Sequence, residues 1–409
     1  MSGAPLRVVI VGGGLAGPCL ALGLRRAGVD VTLHERDAGP ASRTQGYRIH
    51  ISPEGTGALR DCLDPDLYDL VAATSGMPGS GVTILGPGLD TLRRITFDGP
   101  EASEHLTVDR VTMRAIMLTA LGDRVRYGAA FTAYEELPNG RVRVRFDDDS
   151  FADADLLVAA DGTGSRVRRQ LLPDAVVADT GLWAVFGKTP LTTRSLAATP
   201  SAALDGFSTV VAPDGRFMPL AGLRFREDPR QAAARVLPGM VATDTRDYVM
   251  WVLGVHEATL GATDLAALDG AGLRAFTAER VADWHPDVAE LVRLGDPETV
   301  GATPIRSAEP VDRWRTGPVT LIGDAIHSMV PSGTGAGVAL RDAGLLAGHL
   351  TRVSRGEDTL RRAVADYEAE MLDYGFAAVA AAANVARTSN PVSAIRPETA
   401  DVAAQPVDG

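Results

Sequence analysis

The sequence predicts an α/β fold: a Rossmann-like domain built from separate stretches of chain, an inserted antiparallel β-sheet, and C-terminal helices. Three observations predict it. A compact β-α-β pattern occupies residues 7–36, with "GGGLAG" between its first strand and its helix. Two further glycine-containing turns, "DGTGSRVR" from Asp161 and "GDAIHSMVPSGTGAG" from Gly323, also follow short apolar runs. Between them, the stretches "WAVFGK", "RFMPLAGLRF" and "YVMWVLGVH" read as successive antiparallel strands over residues 181–254.

The elements follow in order. Residues 7–11 read as a buried strand, 15–27 as a helix ended by Gly28, and 29–34 as a second strand. "SRTQGYRIHISPEG" gives a loop and a short strand, with Tyr47, Ile49 and Ile51 on one face and Arg48 and His50 on the other. Helical patterns run from 53 to about 75, and "GMPGSG" turns into the strand-like "VTIL". Asp109 stands as the N-cap of a helix over 110–121. "RVRVRFDDDS" turns Val142, Val144 and Phe146 inward, and "DLLVAADGTGS" is a buried strand running into the second glycine turn. Helices return over 271–294, after the last glycine loop, and from 357 to about 387. No repeat of fixed period occurs. The expected division is a discontinuous nucleotide-binding domain of residues 1–75, 100–175 and 297–356, and a substrate domain of 76–99 and 176–296. A C-terminal helix over 357–390 and a disordered, Pro- and Ala-rich tail over 391–409 complete it.

Composition narrows the partners. The chain has 409 residues, 45% hydrophobic and 22% charged, enough for two or three domains. A net charge of -12 makes nucleic acid and anionic membranes poor general partners. No run of 18 apolar residues appears, so no membrane span is expected. The N-terminus reads as a strand running into a loop, not as a signal peptide. Cys19 and Cys62 form no CxxC or His/Cys cluster, which argues for reduced thiols, a cytoplasmic chain and no metal site. Lys188 is the only lysine, read here as a genome-composition bias.

The glycine loops carry the chemistry. In Gly12-x-Gly14-x-x-Gly17 the first glycine permits a tight turn, the second lets backbone approach a pyrophosphate, and the third lets helix and strand pack closely. The helix N-terminus favours phosphate charge by about 0.3–1 kcal/mol at exposed sites. Glu35 ends the second strand, where an acid accepts from ribose hydroxyls and would repel a 2′-phosphate. Arg36 is either solvated or laid over an adenine. This loop alone does not choose between NAD and FAD, which share an ADP half. FAD adds ribityl hydroxyls and a ring whose N1–C2=O edge becomes negative on reduction. That half needs a second polar anchor and a second helix N-terminus, and residues 323–343 offer both. Asp324 can accept from ribityl hydroxyls, and the N–H groups of Gly335, Ala336 and Gly337 can face the ring edge.

On these motifs the chain resembles the single-component FAD-dependent monooxygenases of the para-hydroxybenzoate hydroxylase type, the group A flavoprotein monooxygenases. The resemblance runs over nearly the whole chain and implies a glutathione-reductase-type FAD-binding domain. "GGGLAG" resembles the family's ADP-binding loop, implying that Gly12, Gly14, Leu15, Ala16 and Gly17 meet the cofactor. "DGTGSRVR" resembles its Asp-Gly motif and implies contacts from Asp161 and Gly162 to FAD and NAD(P)H. "GDAIH" with "PSGTGAGVALRDA" resembles its Gly-Asp motif, implying roles for Gly323, Asp324, Pro331, Gly335, Ala336 and Gly337. Arg110 stands where the family has a helix-opening arginine that reaches the FAD. Arg43 and Arg48 touch FAD phosphate or substrate, or else form surface salt bridges. Two departures are visible: Gly337 replaces the family's usual Asn, and one residue rather than two separates Pro331 from Gly333.

The resemblance implies a hydroxylase of secondary metabolism. NADPH or NADH would visit transiently, since no second GxGxxG follows a strand. O2 would give a flavin C4a-hydroperoxide, and one oxygen atom would pass to a small aromatic or polyketide-like molecule inside a dry pocket. Epoxidation, Baeyer–Villiger insertion, a reductase or oxidase, and a non-enzymatic flavin-binding protein are the alternatives. No side chain is singled out as catalytic, and the chain is expected to be a monomer or homodimer. His327 either holds its loop or does chemistry. His256 either lines the cavity with Tyr248, Met250 and Val252 or is a satisfied sheet histidine. Asp342 and Arg341 read as helix-face residues. Trp183, Phe186, Phe217, Met218, Met250 and Trp251 are candidates for cavity wall or core.

Overall fold

Short strands that are apolar on both faces assemble into a five-stranded parallel sheet in the computed structural model, which describes residues 5–40, 42, 46–77, 79–96, 104–242 and 244–389. The order is Val319–Leu321, Leu156–Ala159, Arg7–Val11, Asp30–Glu35, Val125–Tyr127, and every neighbouring pair is parallel. Val8, Ile10, Leu156, Leu157 and Val158 are fully buried, as a parallel sheet covered by crossover helices requires. Helix Gly335–Ser354 packs on both Ala16–Arg26 and Pro53–Cys62. Small residues make that seam tight. A Cβ on Gly55 would lie 2.8 Å from the Gly337 Cα, and one on Gly344 would lie 2.8 Å from the Ala58 Cβ.

A seven-stranded sheet forms the second layer, in the order Gly301–Ala308, Val177–Pro190, Tyr248–His256, Phe217–Leu223, Phe207–Val211, Gly81–Leu85, Thr91–Thr96. Its ladders are antiparallel except Phe207–Val211 against Gly81–Leu85. Alternation along Tyr248–His256 divides the faces. Val249, Trp251, Leu253 and Val255 pack with Leu273, Val288 and Leu291 of helices Gly270–Arg280 and Pro286–Arg293. Tyr248, Met250 and Val252 join Ala184, Ala221 and Leu223 on the opposite, inner face.

The expected boundary at residue 297 put the next strand in the nucleotide-binding domain. Gly301–Ala308 instead hydrogen-bonds Val177–Pro190 at the edge of the seven-stranded sheet. "GATPIRSA" gives little warning, because a half-exposed edge strand tolerates Pro304 and lacks clean alternation. Two expected helices each divide at a proline. Pro65 opens a new helix, Pro65–Ala73, and Pro286 opens Pro286–Arg293, because neither can donate back to the preceding turn. The N-cap reading holds: the Asp109 carboxylate accepts from Thr112 N at the start of Arg110–Leu121. The last helix is Leu360–Ser389. The tail over 391–409 and Arg43 lie outside the described residues. Among the described residues, no helix is long and apolar enough to cross a membrane.

A three-stranded sheet of Phe131–Glu136, Val142–Phe146 and Phe151–Ala154 packs beside the parallel sheet. His34 stacks on Phe146 with ring centroids 4.0 Å apart. Burial, aided by Arg126, pushes the His34 imidazole down from 6.5 to about 4. It is therefore neutral in the fold at pH 7, and the unfolded chain binds a proton first as pH falls. Stability from this residue is complete above pH 6.5 and is lost as pH falls toward 4, by at most about 3 kcal/mol. Thermal melts between pH 7 and 4 should show a steeper loss in the wild type than in His34→Leu; equal slopes would refute this.

Candidate functional site

The three glycine loops meet because their strands are neighbours. Arg7–Val11, Leu156–Ala159 and Val319–Leu321 run parallel and side by side, so their carboxyl ends deliver Gly12, Asp161 and Gly323 to one edge of the sheet. Gly12 has φ +110°, and a Cβ there would lie 2.2 Å from the Ala160 oxygen. A Cβ on Gly17 would lie 2.2 Å from the Gly12 oxygen, whereas one on Gly14 meets nothing within 4 Å. Turn, open backbone and close packing are thus divided among the three glycines as their spacing predicts. Gly323, at φ +60°, would bring a Cβ to 3.6 Å from the Ala16 Cβ. The first and last loops therefore touch.

The helices behind these loops begin uncapped. Ala16–Arg26 and Gly335–Ser354 have no side-chain cap and no acidic residue in the first turn. Arg110–Leu121, Arg166–Leu171, Pro229–Val236 and Gly270–Arg280 are all capped by a side chain. The two uncapped ends keep free N–H donors and a positive dipole end, which suit anionic ligand groups. Acceptors stand nearby. Asp161 takes the Arg166 N–H on Oδ2 at 2.8 Å, while its Oδ1 is buried without a partner. The Asp324 side chain is exposed. Donors for a pyrophosphate and a ring edge, acceptors for hydroxyls, and open space over Gly14 and Gly162 together fit FAD.

Two buried side chains brace the loops: Glu35, which the sequence singled out, and Arg114, which it did not. Glu35 is buried and accepts from Gly13 N at 2.6 Å and Asp37 N at 2.9 Å. Arg114, one turn beyond Arg110, is buried and lies 3.4 Å from Glu35, with its Nε donating to the Gly13 oxygen at 2.5 Å. A basic residue on the buried face of an otherwise apolar helix was the available signal. Arg110 is exposed, with its N–H donated to the Tyr47 oxygen, and Arg36 is exposed as well. Leu15 and Ala16 are buried at the first loop; Pro331 is exposed, and Gly335 and Ala336 are half-buried at the last.

Asp342 corrects the helix-face reading, whereas Arg341 fits it, exposed with its guanidinium 3.8 Å above the Tyr374 ring. Asp342 is 0% exposed and accepts from Gly323 N at 2.6 Å, His327 Nε2 at 2.6 Å and Tyr374 OH at 2.5 Å. Burial opposes charge on His327, but the adjacent Asp342 carboxylate outweighs it and raises the imidazole pKa. His327 thus holds its loop. Arg168 ties the second loop to the third, donating to the Ala325 oxygen at 2.7 Å and the Thr163 oxygen at 2.8 Å. Gly337 has a packing reason, since a Cβ there would lie 2.5 Å from Ser52 Oγ.

The inner face of the large sheet stands against a two-stranded ribbon, Arg48–Ile51 with Leu106–Asp109. Ile51, Leu106 and Val108 are buried in the core of the parallel-sheet domain. Arg48, His50, Thr107 and Asp109 form the other, polar face. Lys188 Nζ lies 2.6 Å from Asp109 Oδ2, and Tyr248 OH donates to the same oxygen at 2.8 Å. The Tyr47 and Phe186 rings lie 5.0 Å apart. At the ribbon's other end, His50 Nδ1 donates to the Gly333 oxygen at 3.2 Å. The ribbon is thus a wall between a floor, the last glycine loop met by His50, and a roof, the sheet held by Asp109. Met250, Phe186 and Phe217 belong to the roof's inner face; Phe217 lies over Gly254, where a Cβ would approach to 2.2 Å. Trp251, Met218 and Trp183 pack with the helices outside. His256 is exposed and caps a short turn through Ala258 N, so the satisfied-histidine reading holds. Lys188→Met leaves Asp109 buried and uncompensated. Urea unfolding should show a loss of about 3–5 kcal/mol, partly recovered by adding Asp109→Asn. A single-variant loss below ~1 kcal/mol would contradict the ion pair's role.

Residues 5–53 and 108–382 match the family described as "FAD binding domain". The dual O-methyltransferase/FAD-dependent monooxygenase elcB of Phaeosphaeria nodorum is 32% identical over 389 residues, covering 87% of this chain and 42% of that protein. This chain therefore spans less than half the length of that relative. The 6-hydroxynicotinate 3-monooxygenase of Bordetella bronchiseptica is 28% identical over 355 residues, covering 85% of this chain and 82% of that one. A solved chain from Photorhabdus luminescens, assigned as an FAD containing monooxygenase, superposes with TM-score 0.81 at 28% identity, covering 95% of this chain and 100% of that one. The match to more than half of its length, on top of the loop geometry, shows that the chain belongs to the FAD binding domain family and that its cofactor is FAD.

Proposed function

We propose that the protein is an FAD-dependent monooxygenase that acts on a small aromatic or polyketide-like molecule. The balance is substrate–H, O2, NAD(P)H and a proton giving substrate–OH, NAD(P)+ and water. The observation that carries this reading is the ribbon that ties the last glycine loop to the apolar inner face of the sheet, and the space these three border is read as the substrate chamber. FAD, when bound, supplies hydride acceptance from NAD(P)H and activation of O2.

The chain's own residues position and shield. Gly12, Gly14, Leu15, Ala16 and Gly17 cradle the pyrophosphate, with Glu35 facing the ribose and Arg114 bracing it. Asp161, Gly162, Gly323 and Asp324 take hydroxyl groups, and the helix end at Gly335, Ala336 and Gly337 faces the ring edge. Arg110, Arg36 and Pro331 stand at the rim. Met250, Val252, Ala221 and Leu223 keep water from the roof. NADPH or NADH visits and leaves. A cytoplasmic setting accords with Cys19 and Cys62, both buried free thiols.

The test is NAD(P)H consumption by the FAD-loaded protein against a panel of phenols and polyketide-like aromatics under ¹⁸O2. Incorporation of a single labelled atom is expected. Peroxide as the sole oxygen product would indicate an oxidase, and no stimulation by any compound would indicate a binding protein. The cofactor half has its own test. Because a Cβ at Gly14 meets open space, Gly14→Val should leave the melting temperature of the FAD-free protein unchanged. It should weaken FAD binding about 100-fold, or roughly 2.7 kcal/mol. Unchanged FAD affinity would remove the first loop from the cofactor site.

A further inference from the structure

Arg48 is a buried cation whose charge nothing nearby cancels. It is 9% exposed, on the polar face of the ribbon that walls the chamber. Its Nη2 reaches Thr107 Oγ1 at a long 3.4 Å, and its Nε is buried without a partner. The guanidinium lies 5.9 Å from the half-buried Phe207 ring, a weak attraction. Among the described residues, no carboxylate approaches Arg48 within 4.0 Å. The nearby acids are committed elsewhere. Asp109 receives Lys188, Tyr248 and Thr112, and Asp244 is held by Arg246 at 3.0 Å. Burial pushes the His50 imidazole down, against the Gly333 carbonyl that its ring N–H meets, and its other nitrogen meets His105 at 2.7 Å.

Lys188 cancels Asp109, and one positive charge remains. Burial pushes Arg48 down only to about 10, so it stays protonated at neutral pH. A buried, unpaired guanidinium is costly, and orphaned donors in a fold point to a ligand that completes them. Register says which ligand. His50 is the ribbon residue that meets the cofactor loop, through Gly333. Arg48 lies two residues farther along, opposite Asp109, at the end held by the roof.

We propose that Arg48 receives an acidic group of the substrate, either a carboxylate or an ionised phenol or enol. It thereby selects anionic aromatic or polyketide-like molecules. The proposal rests on reading the chamber as the substrate site. Guanidinium is suited to the task, since its planar fork pairs with two oxygens at once and keeps its charge when desolvated.

The experiment uses the full chain loaded with FAD and titrated through its flavin absorbance. Probes are matched acid and amide pairs: salicylate and salicylamide, 2-naphthoate and 2-naphthamide, 1-hydroxy-2-naphthoate and its amide. At least one acid should bind tenfold or more tightly than its amide. Arg48→Met should abolish that preference, Arg48→Lys should keep part of it, and FAD affinity should not change in either. Arg48→Met should also melt higher than wild type without ligand, because an uncompensated buried charge has gone. If Arg48→Met does not fold, Arg48→Gln takes its place. No acid outbinding its amide, a preference that survives Arg48→Met, or a loss of FAD affinity in its place would each overturn the proposal. An acid preference that depends on Arg48, in a protein that never consumes NAD(P)H, would refute the monooxygenase reading and leave the anion site standing.

Discussion

One carboxylate joins the two halves of this molecule. Asp109 ends the ribbon, caps helix Arg110–Leu121 through Thr112, and holds Lys188 and Tyr248 of the large sheet. A buried acid is tolerable only when its lone pairs are filled, and here a backbone N–H, two hydroxyls and an ammonium fill them. Two consequences follow from its position. The roof is set at a fixed height over the ribbon, and the capped helix is aimed so that Arg114 reaches Glu35 and Gly13. The large sheet and the first glycine loop are therefore referred to the same point.

Some polar groups at the converging loops are left open. Helices Pro229–Val236 and Gly270–Arg280 begin in side-chain caps, while the two helices behind the glycine loops, like Pro53–Cys62 and Pro65–Ala73, have none. Asp161 Oδ1 and Arg48 Nε are buried without partners, and both border the converging loops and the chamber. Buried atoms without partners also occur elsewhere, at Ser208, Trp284 and Trp314 among others, so it is their place beside the glycine loops and the ribbon that singles these two out.

Legibility in the sequence tracked locality. The strand–glycine–helix units at residues 7–36, 156–168 and 319–343 were readable because turn, strand and helix signals lie within one short window. The Asp109 cap was readable for the same reason. Asp342, Arg114 and Lys188 were not, because each acquires its role from a distant partner: Tyr374, Glu35 and Asp109 respectively. An acid among Leu340, Ala343 and Leu346 on one helical stripe was a usable hint, and so was a lone lysine alternating with apolar residues in a strand. Period-two alternation paired Met250 with Tyr248 and opposed Trp251, but it could not say which face looked inward. That sign came from the helices covering Trp251.

The departures in the last loop are compensated by its neighbours. Where the resemblance leads one to expect Asn, Gly337 lets Ser52 and Gly55 press against the helix start. The uncapped helix end is thus aimed by its packing on Pro53–Cys62 rather than by a side chain at its tip. The shortened turn before it gains a bond from the wall, since the His50 ring donates to Gly333, and Ser332 and Thr334 share a hydroxyl contact at 2.8 Å. Because the Gly333 oxygen can only accept, His50 carries its proton on Nδ1 and accepts from His105 on Nε2. Floor and wall are therefore one mechanical unit. Whatever settles against Arg48, two residues along the same strand, bears on the backbone of the last glycine loop.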